Sequence, residues 1–268
     1  MSEFLIEQKG AVEIGFFPQL AAFNVVHGFT CRTNGMSELV PGGLNMALHV
    51  GDEREKVLAN RKKVAQALAF DPERITTCAQ VHGTQLAVVT KDLIGSGATD
   101  FSTTIQNTDG LITTERAVPL MLFFADCVPV LLIDTKGEAI GLVHAGWRGS
   151  VGKIAAKAVQ LLQAQFGSKP ENIVAAIGPS IGPCCYEVDE KVWAKAPEFH
   201  NCFLPSTKKD HWQLNLWQVN KQQLEEAGLL AAHILCAQIC TSHQQAKFFS
   251  YRAEQGKTGR MAALIYKK

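Results

Sequence analysis

"FFADCVPVLLIDTKGEAIGLVHAGWRG", Phe123 to Gly149, reads as two buried strands joined by a polar turn. The stretch breaks its own pattern. Asp126, Cys127 and Pro129 fall inside the first apolar run, and His144, Trp147 and Arg148 close the second. Pro129 cannot donate to a central ladder. Local inconsistencies of this kind tend to mark functional sites. If the two runs pair as a hairpin, the side chains of Cys127 and His144 approach one point.

Outward from this hairpin, "AFNVVHGFT", "QLAVVT", "DGLITT", "NIVAAIG", "AKFFSYR" and "MAALIYKK" also read as strands. A helix is predicted over Glu55 to Phe70, with Val57, Leu58, Arg61, Val64, Ala65 and Leu68 at helical spacing. A second runs from near Val151 to a stop at Gly167. Two more are predicted over Glu187 to Lys195 and Asn215 to Glu226, the last closed by Gly228. Strands outnumber helices and several are adjacent in sequence, unlike the βαβα rhythm of a doubly wound sheet. The expected fold is α+β: a single domain over residues 1–268, with mixed β-sheets packed together and flanked by helices.

Composition narrows the function. The chain has 268 residues with 26 basic and 25 acidic side chains, a net charge of +1, and no stripe of Lys and Arg. That argues against nucleic acid as a partner. The longest apolar run, "VPLMLFFA", is too short to span a bilayer. The N-terminal "MSEFLIEQKGAVEIGFF" does not look like a signal peptide. The eight cysteines are scattered and include no CxxC pair. A reducing cytoplasm is the expected location. Cys236 and Cys240 read as buried thiols.

Three short polar interruptions carry the chemistry: "AQVHGTQ" with His82, "ADCVP" with Cys127, and "VHAGWRG" with His144. The separations are 127 − 82 = 45 and 144 − 127 = 17 residues. Two imidazoles and a thiolate with an open fourth position form a catalytic zinc pattern. Each histidine alone also reads as a hydrogen-bonded strand-end residue, and Cys127 alone as a small buried apolar one. The trio also fits a nucleophilic thiolate with a histidine base and Asp126 as orienter. Copper is a third fit, although a multicopper oxidase needs more histidines than the eight present, and no His-x-His occurs. Arg148 can clamp a phosphate, carboxylate or base edge, or form a salt bridge. Asn45 lies in the Gly-rich "GGLNMALHVGD" and reads as a ligand contact or a turn former. Arg61 is either a surface cation or an inward clamp. Cys184 and Cys185 are adjacent in a Gly/Pro-rich loop, with Cys185 taken to face the cleft. Neither is expected at the metal, nor are Cys202, Cys236 and Cys240. "SYR" and "TGR" near the C-terminus add Arg252 and Arg260 as weaker candidates.

Five stretches in order, "QVHGTQ", "ADCVPVLL", "VHAGWRG", "GPSIGPCCYEV" and "TGRMAAL", closely resemble the YfiH/YlmD family, which includes the laccase-domain proteins and FAMIN. The wording "GPSIGPCCYEV" is closest to the YlmD branch. The resemblance covers almost the whole chain. It implies an α/β/β/α sandwich and a zinc site at His82, Cys127 and His144. It further implies purine nucleoside phosphorylase activity toward adenosine, guanosine, inosine and methylthioadenosine, with adenosine deaminase activity. Expected partners are purine nucleosides and phosphate, in a monomer or small homo-oligomer. The older family name points instead to a copper-dependent polyphenol oxidoreductase, and other members to peptidoglycan precursors, here as a Cys-His hydrolase. A metal-stabilised binding protein without chemistry is a further reading. "SYRAEQGKTGR" has Ala253 where the family pattern often has a second Arg. The His-x-Glu and Pro-Cys-x-x-Cys signature of zinc deaminases is absent. Asp126 is therefore the candidate general acid/base, and Arg148 the candidate phosphate clamp.

Overall fold

The apolar run from Leu120 to Asp134 divides into two strands that belong to different sheets. The structure, a computed structural model, describes residues 3–268. In chain order the strands are β1 (Leu5–Lys9), β2 (Val12–Phe16), β3 (Val25–Thr30), β4 (Leu86–Val88), β5 (Gly110–Thr113), β6 (Leu120–Phe124) and β7 (Val128–Asp134). They continue as β8 (Ile140–Ala145), β9 (Ile173–Ile177), β10 (Glu187–Asp189), β11 (Phe203–Pro205), β12 (His211–Leu214), β13 (Ile234–Cys236) and β14 (Met261–Lys267). The α-helices are α1 (Arg54–Leu68), α2 (Trp147–Val151), α3 (Ile154–Phe166), α4 (Glu190–Trp193) and α5 (Leu216–Glu226).

One sheet has the order β1-β2-β3-β14-β6 and is antiparallel throughout. The second, β13-β9-β7-β8-β5-β4, is mixed, with parallel pairs at both edges. A small third sheet, β10-β12-β11, adds Val188, Phe203 and Leu214 to the core on the α3 and α5 side of the second sheet. The two large sheets pack face to face. Leu120, Leu122, Phe124, Ala263 and Ile265 from the first meet Leu131, Ile133, Leu142 and Ala176 from the second. Strand alternation turns the intervening residues outward. Met121, Phe123, Ala262 and Leu264 therefore pack on Val64 and Leu68 of α1. Val130, Leu132 and Val143 pack on α3 and α5 through Ile154, Val159, Leu162, Val219 and Leu224. With both faces of each central strand buried, the strands read as continuous apolar runs. Truncating a central side chain such as Leu142 to alanine costs about 2–5 kcal/mol.

The chain passes from one sheet to the other through Ala125, Asp126 and Cys127. Three residues reach about 10 Å when extended, the usual spacing of packed sheets. Asp126 makes the corner with φ +83°. Asp126 and Cys127 are thus not inside a strand, as the apolar run suggested, but between two. Pro129 is then the second residue of a strand with neighbours on both sides. It is tolerated because pairing to β9 starts only at Val130 opposite Ile177, while the Pro129 carbonyl accepts from Gly178 N–H. The expected hairpin is present: β7 and β8 are antiparallel, with Pro129 opposite His144.

Other elements differ from the sequence reading. The helix expected near Val151 is two helices, broken at Lys153, whose φ is +62°. The helix expected over Glu187 to Lys195 is strand β10 followed by one turn, where the Asp189 carboxylate caps Val192 N–H. "AKFFSYR" is not a strand. Phe248 and Phe249 are buried, with Ala125 and Met261, in a loop packed against the sheet end. The N-terminal hairpin β1–β2 was not anticipated.

Candidate active site

His82, Cys127 and His144 converge, their ligating atoms lying within 4.8 Å of one another. Each reaches the point from a different position. His144 is in β8 and points out of the sheet beside Phe124, with ring centroids 5.4 Å apart. Cys127 ends the crossing between sheets. His82 sits on a loop in the left-handed conformation, φ +60°. Asp109 holds that loop: its carboxylate accepts the backbone N–H groups of His82 at 2.9 Å and Gly83 at 2.7 Å. The Gln80 amide braces the same loop, exchanging two hydrogen bonds with the backbone of Phe123.

Asp109 also lies 2.9 Å from His144 Nδ1, with the pair buried. A proton on Nδ1 leaves the Nε2 lone pair for a metal, the usual way a carboxylate fixes a ligating histidine. Burial opposes ionisation of Cys127, but the charge of His144 and hydrogen bonds from both imidazoles outweigh it and pull the thiol below its ordinary value. Burial likewise disfavours a charged His144, while Cys127 and Asp109 outweigh that and raise its pKa. A thiol disposed to ionise, two imidazoles and a carboxylate behind one of them suit a borderline-soft divalent ion. Gly146 supplies the space. A Cβ there would lie 3.1 Å from His82 Cδ2 and 3.2 Å from Cys127 Sγ.

The trio opens onto a cavity of about 640 Å3, within the roughly 300–1,000 Å3 of small-molecule sites. Three guanidinium groups line it, from Arg148, Arg252 and Arg260, together with Trp147, Tyr186, Tyr251, Phe123 and His49. Arg252 donates to the carbonyls of Cys185 and Glu187 and lies over Tyr186. Arg260 donates to the carbonyls of Thr258 and Gly259. Arg148 is exposed, lies 4.4 Å over the Trp147 ring, and its guanidinium makes no hydrogen bond or ion pair among the described residues.

The other expected site residues are placed differently. Asp126 lines the cavity, yet its carboxylate accepts from Thr241 Oγ1, Ser250 Oγ and Arg252 N at 2.7–3.0 Å. Those three bonds tie the crossing between the sheets to the loops of Thr241 and of Ser250 and Arg252. Asn45 and Arg61 do not line the cavity. Asn45 is buried and accepts Arg260 N–H, setting the backbone of that arginine. Arg61 is 2% exposed and donates to the carbonyls of Met46, Gly97 and Ala98. Burial pushes its pKa down to about 9. An amphipathic helix pattern cannot distinguish such a carbonyl-satisfied arginine from a ligand clamp. Cys185 does not line the cavity; its thiol lies within 4.8 Å of ligating atoms of Cys184 and His243. Asp109 was missed because an Asp before a Gly reads as turn chemistry. Among the described residues no helix is long and apolar enough to cross a membrane.

Comparison with known proteins agrees with this architecture. A family model described as "Multi-copper polyphenol oxidoreductase laccase" matches residues 26–268. "Purine nucleoside phosphorylase YlmD" of Geobacillus stearothermophilus is 42% identical, covering 98% of this chain and 96% of that protein. Its Bacillus subtilis counterpart is 36% identical over 90% of this chain and 88% of its own length. Among solved structures, Bacillus licheniformis hypothetical protein YfiH superposes with a TM-score of 0.93 at 37% identity, covering 98% of this chain and 99% of that one. YlmD from Geobacillus stearothermophilus gives 0.91 at 39%, covering 99% and 100%.

Proposed function

The chain belongs to the laccase-like YfiH family, and from that premise we propose that it is a zinc-dependent purine nucleoside phosphorylase. Its substrates are adenosine, guanosine, inosine and methylthioadenosine, and it also deaminates adenosine to inosine. The observation that carries this reading is the union of an open three-ligand set and a guanidinium-lined cavity with aromatic walls. The relatives named as purine nucleoside phosphorylases support it.

His82, Cys127 and His144 would hold the ion, which would supply a Lewis acid at the cavity. Asp109 keeps the His144 proton on Nδ1. Arg148, with no competing protein partner among the described residues, holds phosphate for attack at C1′ of the ribose as the glycosidic bond breaks. Tyr186, Tyr251, Phe123 and Trp147 offer flat surfaces to the purine. Asp126 and Asn45 act by placement, fixing the backbone of Arg252 and Arg260.

The test is metal content after purification without added metals, combined with adenosine assays with and without phosphate. Zinc in the protein and phosphate-dependent adenine release are expected, with inosine forming whether or not phosphate is present. Copper in the site with oxidation of a phenol, and no nucleoside cleavage, would overturn the reading.

A further inference from the structure

Cys184, Cys185 and His243 place two thiols and an imidazole within 4.8 Å of one another. Burial first, and then the neighbouring Cys240 thiol, hold the thiols of Cys184 and Cys185 above their ordinary pKa. None of these side chains lines the cavity or belongs to the His82 trio. We propose that they form a second site, for a thiophilic d10 cation of the zinc(II) or copper(I) class, adjoining the cavity-lining Tyr186.

Three observations carry this. The donors are soft and mixed, and such sets select zinc or copper(I) over hard oxygen-seeking ions. They are also preorganised. The loop with the paired cysteines turns on Gly182, whose carbonyl accepts from the N–H groups of Cys185 and Tyr186. The loop with Cys240 and His243 is laced to it by backbone bonds from Ser180 N to Ile239 O and from Thr241 N to Ser180 O, and Gly182 N donates to Cys240 Sγ at 3.2 Å. Finally, the site is accessible, with Cys184 and His243 exposed and Cys240 buried behind them. A disulfide fits less well. Adjacent cysteines have Cα atoms about 3.8 Å apart, below the usual 4.4–6.8 Å span, and a disulfide gives the imidazole no role.

Binding joins two loops through one ion, each ligating thiol giving its proton to solvent. The effect reaches the cavity wall. Tyr186 follows Cys185, and the Cys185 carbonyl accepts from Arg252. Thr241, beside Cys240, donates to Asp126. The cation therefore stiffens the wall that carries Tyr186 and Arg252 without contacting the cavity.

The experiment counts ions per chain in the full-length protein after loading with zinc, or with copper(I) under anaerobic reducing conditions, and removal of excess. The wild type should bind two ions. Cys127→Ala should retain one, and Cys184→Ser/Cys185→Ser should retain one. X-ray absorption on Cys127→Ala should show a sulfur-dominated shell at about 2.3 Å, and the metal whose edge shows it is the one the site takes. His243→Ala, an exposed change, should weaken only the second ion, by at least about tenfold. A single ion in the wild type that vanishes entirely in Cys127→Ala would overturn the proposal. So would an unchanged count in Cys184→Ser/Cys185→Ser, or a mass two hydrogens low in the unreduced wild type that maps to these cysteines. Because the two sites are counted in separate variants, failure here leaves the His82 trio untouched.

Discussion

His144 Nδ1 and Asp109 Oδ1 lie 2.9 Å apart with both side chains buried, and the same carboxylate caps the loop carrying His82. One aspartate therefore orients two of the three residues of the candidate metal site. Asp109→Asn keeps the shape but loses the charge. Its amide can present an oxygen to His144 only by turning an NH2 toward the N–H groups of the loop. Metal affinity should fall about 10- to 100-fold with the fold retained. Competition titration against a chromogenic chelator checks this, and wild-type affinity in the variant would mean that Asp109 does not tune the site.

Gly146 tests the space at the centre. An alanine methyl would press on both His82 and Cys127 at little more than 3 Å. Both side chains must give by a few tenths of an ångström, so Gly146→Ala should lower nucleoside cleavage by about tenfold, less than the about 100-fold of a 1 Å displacement. Circular dichroism and metal content, read beside activity, separate a displaced ligand from a lost fold. Full activity would show that the triangle can widen freely.

Arg148 separates the two reactions. Arg148→Ala should depress phosphorolysis by roughly 30- to 1,000-fold, a lost charge-assisted clamp of about 2–4 kcal/mol, and depress deamination far less. Cys127→Ala should abolish both. Initial rates of adenine and inosine formation, measured separately, distinguish these. Equal losses in Arg148→Ala would assign it to the nucleoside instead of phosphate.

Acid should weaken the fold through His27. This β3 residue is nearly buried, and its Nε2 accepts Phe17 N–H at 2.9 Å, which requires a neutral ring. Burial, followed by the charge of Lys9, lowers its pKa from 6.5 to about 4. The lowered value means the stabilisation is complete above about pH 6.5 and is lost as pH falls toward 4. The loss is about 2 kcal/mol by pH 5 and approaches about 3 kcal/mol below pH 4. Urea unfolding of wild type and His27→Gln at pH 7 and pH 5 checks it. The variant, whose amide oxygen can accept the same bond without titrating, should lose less. Parallel losses would place the acid sensitivity elsewhere.

The parts of this site legible in the sequence are those that violate a pattern. His82, Cys127 and His144 stood out because polar groups interrupt apolar strands, and the β7–β8 pairing that joins two of them is local. The crossing at Asp126 was hidden, since strands buried on both faces merge into one apolar run whichever sheet they join. Arg61 misled for the opposite reason. Its guanidinium is satisfied by hydrogen bonds to backbone carbonyls of residues 46, 97 and 98, partners that helical spacing cannot reveal. The cationic wall was only glimpsed, because Arg252 and Arg260 reach the cavity from loops with no periodic signal. The strand expected over "AKFFSYR" failed because two adjacent buried phenylalanines satisfy a loop as well as a strand.

The hairpin that sets Pro129 opposite His144 implies an order of assembly. Its strands are joined by a turn between Ile133 and Ile140, so Cys127 and His144 can meet early, at the low entropic cost of a short loop. His82 depends on Asp109, and Asp109 depends on β5 finding β8. His82 is therefore expected to join Cys127 and His144 last. Pulse-labelled hydrogen exchange during refolding of metal-free protein should protect Val143 N–H before His82 N–H. Simultaneous protection would mean that all three ligands are gathered in one step.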